Sequence, residues 1–509
     1  MKEASEIKRI RDWLGKICPQ ADLCSDSREM GQTQKNGAAF LAWAEDPAQR
    51  QKHIESAVKN GAVAVVYEKD GFKWDTRLKV PHKGVKNLKE LAGHIAGAHY
   101  GYPSRQLFVV AITGTNGKTS CSHWIAALLS RFKTKMAAIG TLGIVTFEDG
   151  QATLTREMGL TTPEPVMLQR ELAHLVDEGF SGVALEASSI GIEEGRINGL
   201  DIDVALFTNL THDHLDYHLD MASYEASKRK LFDWPKLKHG VINIDDATGR
   251  KWADELKDTL SLTAFSTNGE RFDGVSVLSA SELRTHKNGS QFYLESADGQ
   301  SERKRVRTDL VGEFNVSNTL GVLGVLLAAG IGYREASAAL NGLVPPPGRM
   351  QPLGGHNAPL VVIDYAHTPD ALEKGLKALK TVAKERKGTL WCVFGCGGNR
   401  DKGKRPEMGR VSELADRIIV TSDNPRDEDP KKIIEDIRAG MGKEAQTIED
   451  RASAILQTVK QASMEDVIFL AGKGHETYQE IRGARHPFVD AEHVALALRA
   501  FKAIRGDTP

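Results

Sequence analysis

The segment Thr113-Gly114-Thr115-Asn116-Gly117-Lys118-Thr119-Ser120 constrains this chain more than any other. It follows a short apolar, β-branched run at residues 107–112 and leads into a stretch where Ile125, Leu128, Leu129 and Phe132 are available for burial on a helix. A glycine-rich turn between strand and helix lets backbone N–H groups approach anionic oxygens, and the helix start adds partial positive charge. Lys118 can neutralise phosphate there, and the Thr119 hydroxyl can ligate Mg²⁺. The usual phosphate loop opens with a glycine where this chain has Ile112. An ordinary glycine-rich turn is the competing reading, but Lys-Thr directly after Gly at a strand-to-helix junction is restrictive. The segment predicts a nucleotide cradle formed by Gly114, Thr115, Asn116, Gly117, Lys118, Thr119 and Ser120 in an α/β sheet.

Similar apolar runs recur at residues 62–67, 182–185, 204–207, 240–244, 360–363, 389–394, 417–421 and 467–470, and several precede helical stretches. That alternation predicts parallel sheets, in which ligands bind beyond the carboxyl ends of the strands. At 509 residues the chain exceeds what a single core supports. Turn-rich points at residues 101–104 and 345–348 divide it into units 1–103, 104–346 and 347–509. A formal charge of -1 leaves no global basic field for nucleic acid. The charged opening lacks the apolar core of a signal peptide, so a cytosolic location is expected. Residues 319–332 are too short a weakly polar stretch to span a membrane and read as a buried helix. Five cysteines without paired spacing read as reduced, structural thiols.

Glu186 closes one apolar run, where a carboxylate can serve chemistry or simply cap the next element. Downstream, His212, His214 and His218 crowd with Asp213 and Asp216, a density that suits metal or phosphate chemistry. A solvated loop and a metallohydrolase cluster are the alternatives; the second needs a different spacing and leaves the phosphate loop without a purpose. Residues 395–406 combine glycines with Arg400, Lys402, Lys404 and Arg405 after a strand, which suits an anion, although a charged surface loop reads the same way. Asp423-Asn424-Pro425-Arg426 sets a carboxylate, an amide and a guanidinium around a stiff turn, and an Arg fork binds carboxylates bidentately.

The shortened loop T-G-T-N-G-K-T-S resembles that of the Mur ligases and their folylpolyglutamate synthase relatives, and the resemblance runs through most of the chain. It implies an α/β protein of three domains: a smaller N-terminal UDP-binding domain, a central ATPase domain with a mainly parallel sheet, and a C-terminal Rossmann-like domain. Glu186 and His214 then match the family's Mg²⁺ ligands, with Thr119 beside them and two ions expected. Lys228 matches a lysine that CO₂ carbamylates into a metal partner; from its residues alone it reads as an exposed helix lysine. Asn318 matches the adenine contact, while Arg349, Asp364 and Lys402 would face ATP. Ser27 would meet uridine, within Asp26-Ser27-Arg28 and the stretch 37–42, where plain loop polarity is the alternative. Thr161, Thr162, Ser188 and Arg196 would contact the UDP-muramoyl peptide. Many diaminopimelate-adding members have a histidine where this chain has Ile190, so no role for that imidazole transfers.

Within the family, D-N-P-R marks the members that use meso-diaminopimelate, whose distal carboxylate the Arg engages. Asp423, Asn424 and Arg426, Arg400, and Gly472 with Glu476 of G-K-G-H-E become the expected amino-acid contacts. The implied reaction is ATP-dependent addition of meso-diaminopimelate to UDP-N-acetylmuramoyl-L-alanyl-D-glutamate through an acyl phosphate, catalysed by a monomer with no membrane or nucleic-acid partner. Lysine addition, folylpolyglutamate synthesis and a partner-coupled ATPase are the competing readings.

Overall fold

The computed structural model describes residues 2–19, 21–30, 37–286, 289–296 and 303–504. Among these, the strands form three large sheets in succession along the chain, plus a small hairpin. The first sheet pairs Asp22–Cys24, Ala38–Ala42, Ala62–Glu68 and His82–Val85, all parallel. Side chains alternate across a strand. Ala39 and Leu41 therefore pack with Ile10 and Leu14 of the helix Lys2–Ile17, while Phe40 and Ala42 pack with Ile54 of the helix Pro47–Lys59.

In the second sheet the strand Phe108–Thr113 lies between Gly182–Glu186 and Val204–Phe207, parallel to both. Val110 and Ile112 face the helices Lys118–Leu129 and Glu313–Ala328, whereas Val109 and Ala111 face the helix Pro165–Asp177. The helix Glu313–Ala328 covers most of the stretch read as buried and is apolar on all sides beyond Thr319. Gly324 lets its backbone approach the sheet, since a Cβ there would lie 2.7 Å from Val241 Cγ1. Antiparallel strands extend both edges: Gly143–Glu148 and Gln151–Arg156 on one, Gly289–Ser296 and Lys304–Thr308 on the other.

The third sheet runs Gln351–Gly354, Leu360–Asp364, Val467–Ala471, Leu390–Phe394, Arg417–Val420 and Gln446–Thr447, with only the first strand antiparallel. Every run read as a strand lies in one, with ends shifted slightly. All five cysteines are free and buried. No helix among the described residues is long and apolar enough to cross a membrane. The carboxyl ends of the second and third sheets both open onto one cavity.

Candidate functional site

The phosphate loop is held by the neighbouring strand end. Gly114 (φ +143°) is obligatory, because a Cβ there would sit 1.9 Å from Thr208 Oγ1. Thr115 N donates to Asn209 O at 2.8 Å and Asn116 N donates to Asn209 Oδ1 at 3.0 Å, which stretches the turn open. Gly117 (φ +92°) starts the helix Lys118–Leu129, and Asn318 lies directly against it. Lys118 Nζ donates to Gly114 O and Thr115 O, both at 2.9 Å, so its charge sits inside the loop curve. Burial pulls the Lys118 ammonium below its ordinary value, with Glu186 and Asp213 opposing. Ser120, Asn318, Arg349 and Asp364 line a small pocket beside the loop, together with Phe314, Asn315, Tyr365 and Lys374. Burial raises the Asp364 carboxyl to about 6, while Arg349 and the Met350 N–H, which donates at 2.7 Å, act against it.

Glu186 ends its strand under this loop and does not cap the following helix, whose N-cap is Ser188. Its carboxylate accepts from Thr119 Oγ1 at 3.0 Å, Thr141 N at 2.9 Å and Thr141 Oγ1 at 3.1 Å. Arg349 Nη2 donates to Thr119 Oγ1 at 2.9 Å, so a side chain just before the first strand of the third sheet reaches the same spot. The Thr119 hydroxyl and the Glu186 carboxylate are adjacent hard oxygens of the kind Mg²⁺ takes, so these residues fit that ion. Among the described residues no group of three His, Cys, Asp or Glu side chains is gathered as a metal cage.

Lys228 corrects the reading from its residues alone: it is 1% exposed rather than solvated. The helix Met221–Arg229 docks on the underside of the phosphate loop, where Lys228 Nζ donates to Gly114 O at 3.0 Å and lies 4.4 Å above the Tyr224 ring. Gly114 O thus accepts from two lysines. Burial, then repulsion from Lys118, holds the Lys228 amine well below its ordinary value. His214 Nε2 lies 3.4 Å from Asp213 Oδ2. Burial lowers this imidazole to about 4, keeping it neutral and available as a ligand.

A cavity of about 630 Å³ joins His212, Asp213, His214 and Ile190 to the strand ends of the third sheet. It gathers the expected Arg400, Asp423, Asn424, Arg426, Gly472 and Glu476 on one wall. Arg426 (φ +51°) is braced by Gly398 O, to which its Nη1 donates at 2.8 Å, and by Glu480 at 3.4 Å. Asn424 Nδ2 donates to Glu476 Oε2 at 2.8 Å. Lys402 is absent from this wall: it is 64% exposed and pairs with Glu428 at 3.3 Å. Lys473, which sequence reasoning passed over, is fully buried and donates to Asn424 Oδ1 at 3.0 Å and Glu476 Oε2 at 2.8 Å. His367 was also missed; its place in D-Y-A-H-T-P, directly after a strand end, was the available signal.

A second cavity, about 1020 Å³, lies between the first and second units and is lined by Ser27, Asp26, Arg28, Phe40, Leu41 and Ala42. Leu160 and Pro163 line it too, on either side of Thr161 and Thr162. Thr162 Oγ1 donates to Glu186 O at 2.8 Å and accepts from Ser188 N at 3.0 Å, while Arg196 Nη1 donates to Thr162 O at 3.2 Å. Thr161 Oγ1 lies 3.2 Å from Thr141 Oγ1. Thr161, Thr162, Ser188 and Arg196 therefore form a bridge from this cavity to Glu186.

A phosphate loop facing a second open sheet across a shared cleft defines an α/β nucleotide-binding enzyme that works between domains. The Mur ligase middle domain matches residues 112–326, and the Mur ligase, glutamate ligase domain matches residues 348–474. A UDP-N-acetylmuramoyl-L-alanyl-D-glutamate--2,6-diaminopimelate ligase of Janthinobacterium sp. (strain Marseille) is 52% identical over 498 residues, 97% of each chain. A solved structure of a ligase of the same name is 35% identical, with a TM-score of 0.64 over 94% of each chain. The MurF ligase from Thermotoga maritima in complex with ADP, 17% identical, shares the fold, with a TM-score of 0.66 over 96% of this chain and 99% of that one. This chain belongs to the Mur ligase family.

Proposed function

We propose that this chain is an ATP-dependent ligase that adds meso-diaminopimelate to UDP-N-acetylmuramoyl-L-alanyl-D-glutamate, with three units at 1–103, 104–346 and 347–509. The observation that carries the reading is the wall on which Arg426 and Arg400 stand with Asp423 and Glu476. A substrate with a carboxylate and an ammonium at each end supplies a partner for every one of these charges. Lysine lacks the distal carboxylate and would leave Arg426 with only its bracing contacts to Gly398 O and Glu480, so the site favours the diacid.

In this reading the sugar nucleotide lies in the larger cavity, with Ser27 at uridine, and its peptide passes Thr161, Thr162, Ser188 and Arg196 toward the phosphate loop. ATP occupies the loop and the pocket of Asn318, Arg349 and Asp364. The D-Glu side-chain carboxylate attacks the γ-phosphorus and ADP leaves, forming an acyl phosphate. The diaminopimelate amine then attacks the acyl carbon, phosphate departs with its bridging oxygen, and the ammonium proton is lost. Lys118 and the loop N–H groups offset the charge that builds on the transferred group. Thr119, Glu186, His214 and Lys228 would hold Mg²⁺, which supplies charge neutralisation at the phosphates. The neutral form of an amine is the one that adds CO₂, releasing a proton, and burial, which disfavours the ammonium of Lys228, supports its carbamylation. Lys402 would have to leave Glu428 to reach phosphate. We read the enzyme as a cytosolic monomer.

Incubating the protein with ATP, Mg²⁺ and the UDP-muramoyl dipeptide, with either meso-diaminopimelate or lysine, tests the proposal by product mass. The diaminopimelate adduct alone is expected. Product with lysine only, or ATP turnover independent of any amino acid, would overturn it.

A further inference from the structure

Arg170 is a charged side chain on the wall of the larger cavity to which the proposed reaction assigns no part. It stands on the helix Pro165–Asp177 of the second unit, and the first unit builds the facing wall. Its side chain is only 7% exposed. Yet it donates no hydrogen bond to any described residue: its nearest carboxylates, Glu171 at 3.7 Å and Glu29 at 4.0 Å, lie beyond that reach. Glu171 is itself engaged by Arg156 at 2.5 Å. A guanidinium carries five N–H donors and no acceptor, and those of Arg170 are not sealed in the core but open onto the cavity, where a ligand can meet them. Leu23, Phe40, Leu41 and Val166 on the same wall offer no side-chain acceptor. The arrangement calls for an oxygen from the ligand.

Neighbouring charge bears on which oxygen. Glu171 and Glu29, 3.7 Å and 4.0 Å from Arg170, would repel a phosphate set against it, so a neutral carbonyl suits this guanidinium and the diphosphate belongs elsewhere in the cavity. The apolar surface beside Arg170 suits a planar base. We propose that Arg170 is a specificity-determining residue that donates to the pyrimidine carbonyl which distinguishes uracil from cytosine. This rests on the uridine reading of the cavity given above. Cytosine carries an amino group at that position, which would set donor against donor.

Binding of UDP and of CDP to the full chain, compared for wild type, Arg170→Met and Arg170→Lys, tests this. The wild type should prefer UDP by roughly tenfold or more, as for one hydrogen bond to a charged group. Arg170→Met should weaken UDP by a similar factor, leave CDP nearly unchanged and so abolish the preference; Arg170→Lys should restore part of it. Unchanged ATP binding and thermal midpoint control for folding, and Arg170→Lys decides if the Met variant unfolds. Equal UDP binding by wild type and Arg170→Met would overturn the proposal. So would equal losses of UDP and CDP, which would place the contact on the phosphates. A wild type that binds neither nucleotide would instead overturn the uridine reading itself.

Discussion

Lys118 and Lys228 share one carbonyl, Gly114 O, and only one of them can remain a full cation there at low cost. Asp213 favours the charge on both, but only Lys118 also has Glu186, so Lys118 is the one suited to phosphate. Lys118→Met should reduce ligation by at least about a hundredfold with the fold retained, as steady-state kinetics and circular dichroism would show. Lys473 acts differently, through Asn424 and Glu476, which both accept from it. Lys473→Met should raise the KM for diaminopimelate about tenfold or more and lower the thermal midpoint, because the partly buried Glu476 carboxylate loses its cation. Asp364 offers a pH signature, since burial raises its carboxyl from 3.8 to about 6. The folded state then binds this proton more tightly than the unfolded chain, so the group's contribution to stability falls as pH rises from about 4 to about 6 and is constant beyond. Asp364→Asn should therefore gain stability relative to wild type across that window, by at most about 3 kcal/mol. Denaturant titrations at stepped pH would show it; a difference that does not change with pH would contradict the assignment.

Among the elements, the loop before the third sheet and the loop after Val467–Ala471 meet backbone to backbone. Gly348 has φ +67°, and a Cβ there would lie 2.2 Å from His475 N. Gly348→Ala should raise KM for ATP and for diaminopimelate together, whereas Gly342→Ala, at φ +75° with open space around it, should cost only about 1 kcal/mol of stability. Comparing the two variants' kinetics and melting separates coupling from strain. The parallel strands were legible because strands covered on both faces are continuous apolar runs, as in Val204–Phe207. Lys304–Thr308 was not, since an edge strand that buries one face alternates Arg with Val and reads as loop. The phosphate loop was equally legible, because its backbone demands glycine at fixed places. Lys228 and Lys473 could not be read from local pattern: each is buried by partners distant in sequence, 114 residues away for Gly114 and 49 for Asn424.

At the scale of the molecule, the second and third units already touch across the cleft, through Arg349 to Thr119 and Asn116 Nδ2 to Asp370 Oδ2 at 3.1 Å. The first unit docks by a close backbone approach, where a Cβ on Gly93 would lie 2.1 Å from Asn198 O. Three sheets so joined place the larger cavity, the phosphate loop and the pocket of Arg426 in series, which suits the proposed reaction, whose energy passes from ATP to a carboxyl and then to an amine. The most direct measurement follows oxygen. With both D-Glu side-chain carboxylate oxygens enriched in oxygen-18, each turnover with diaminopimelate should release phosphate carrying one labelled atom while the new amide keeps the other. Phosphate free of label in a reaction that still forms amide would contradict activation of that carboxyl by ATP.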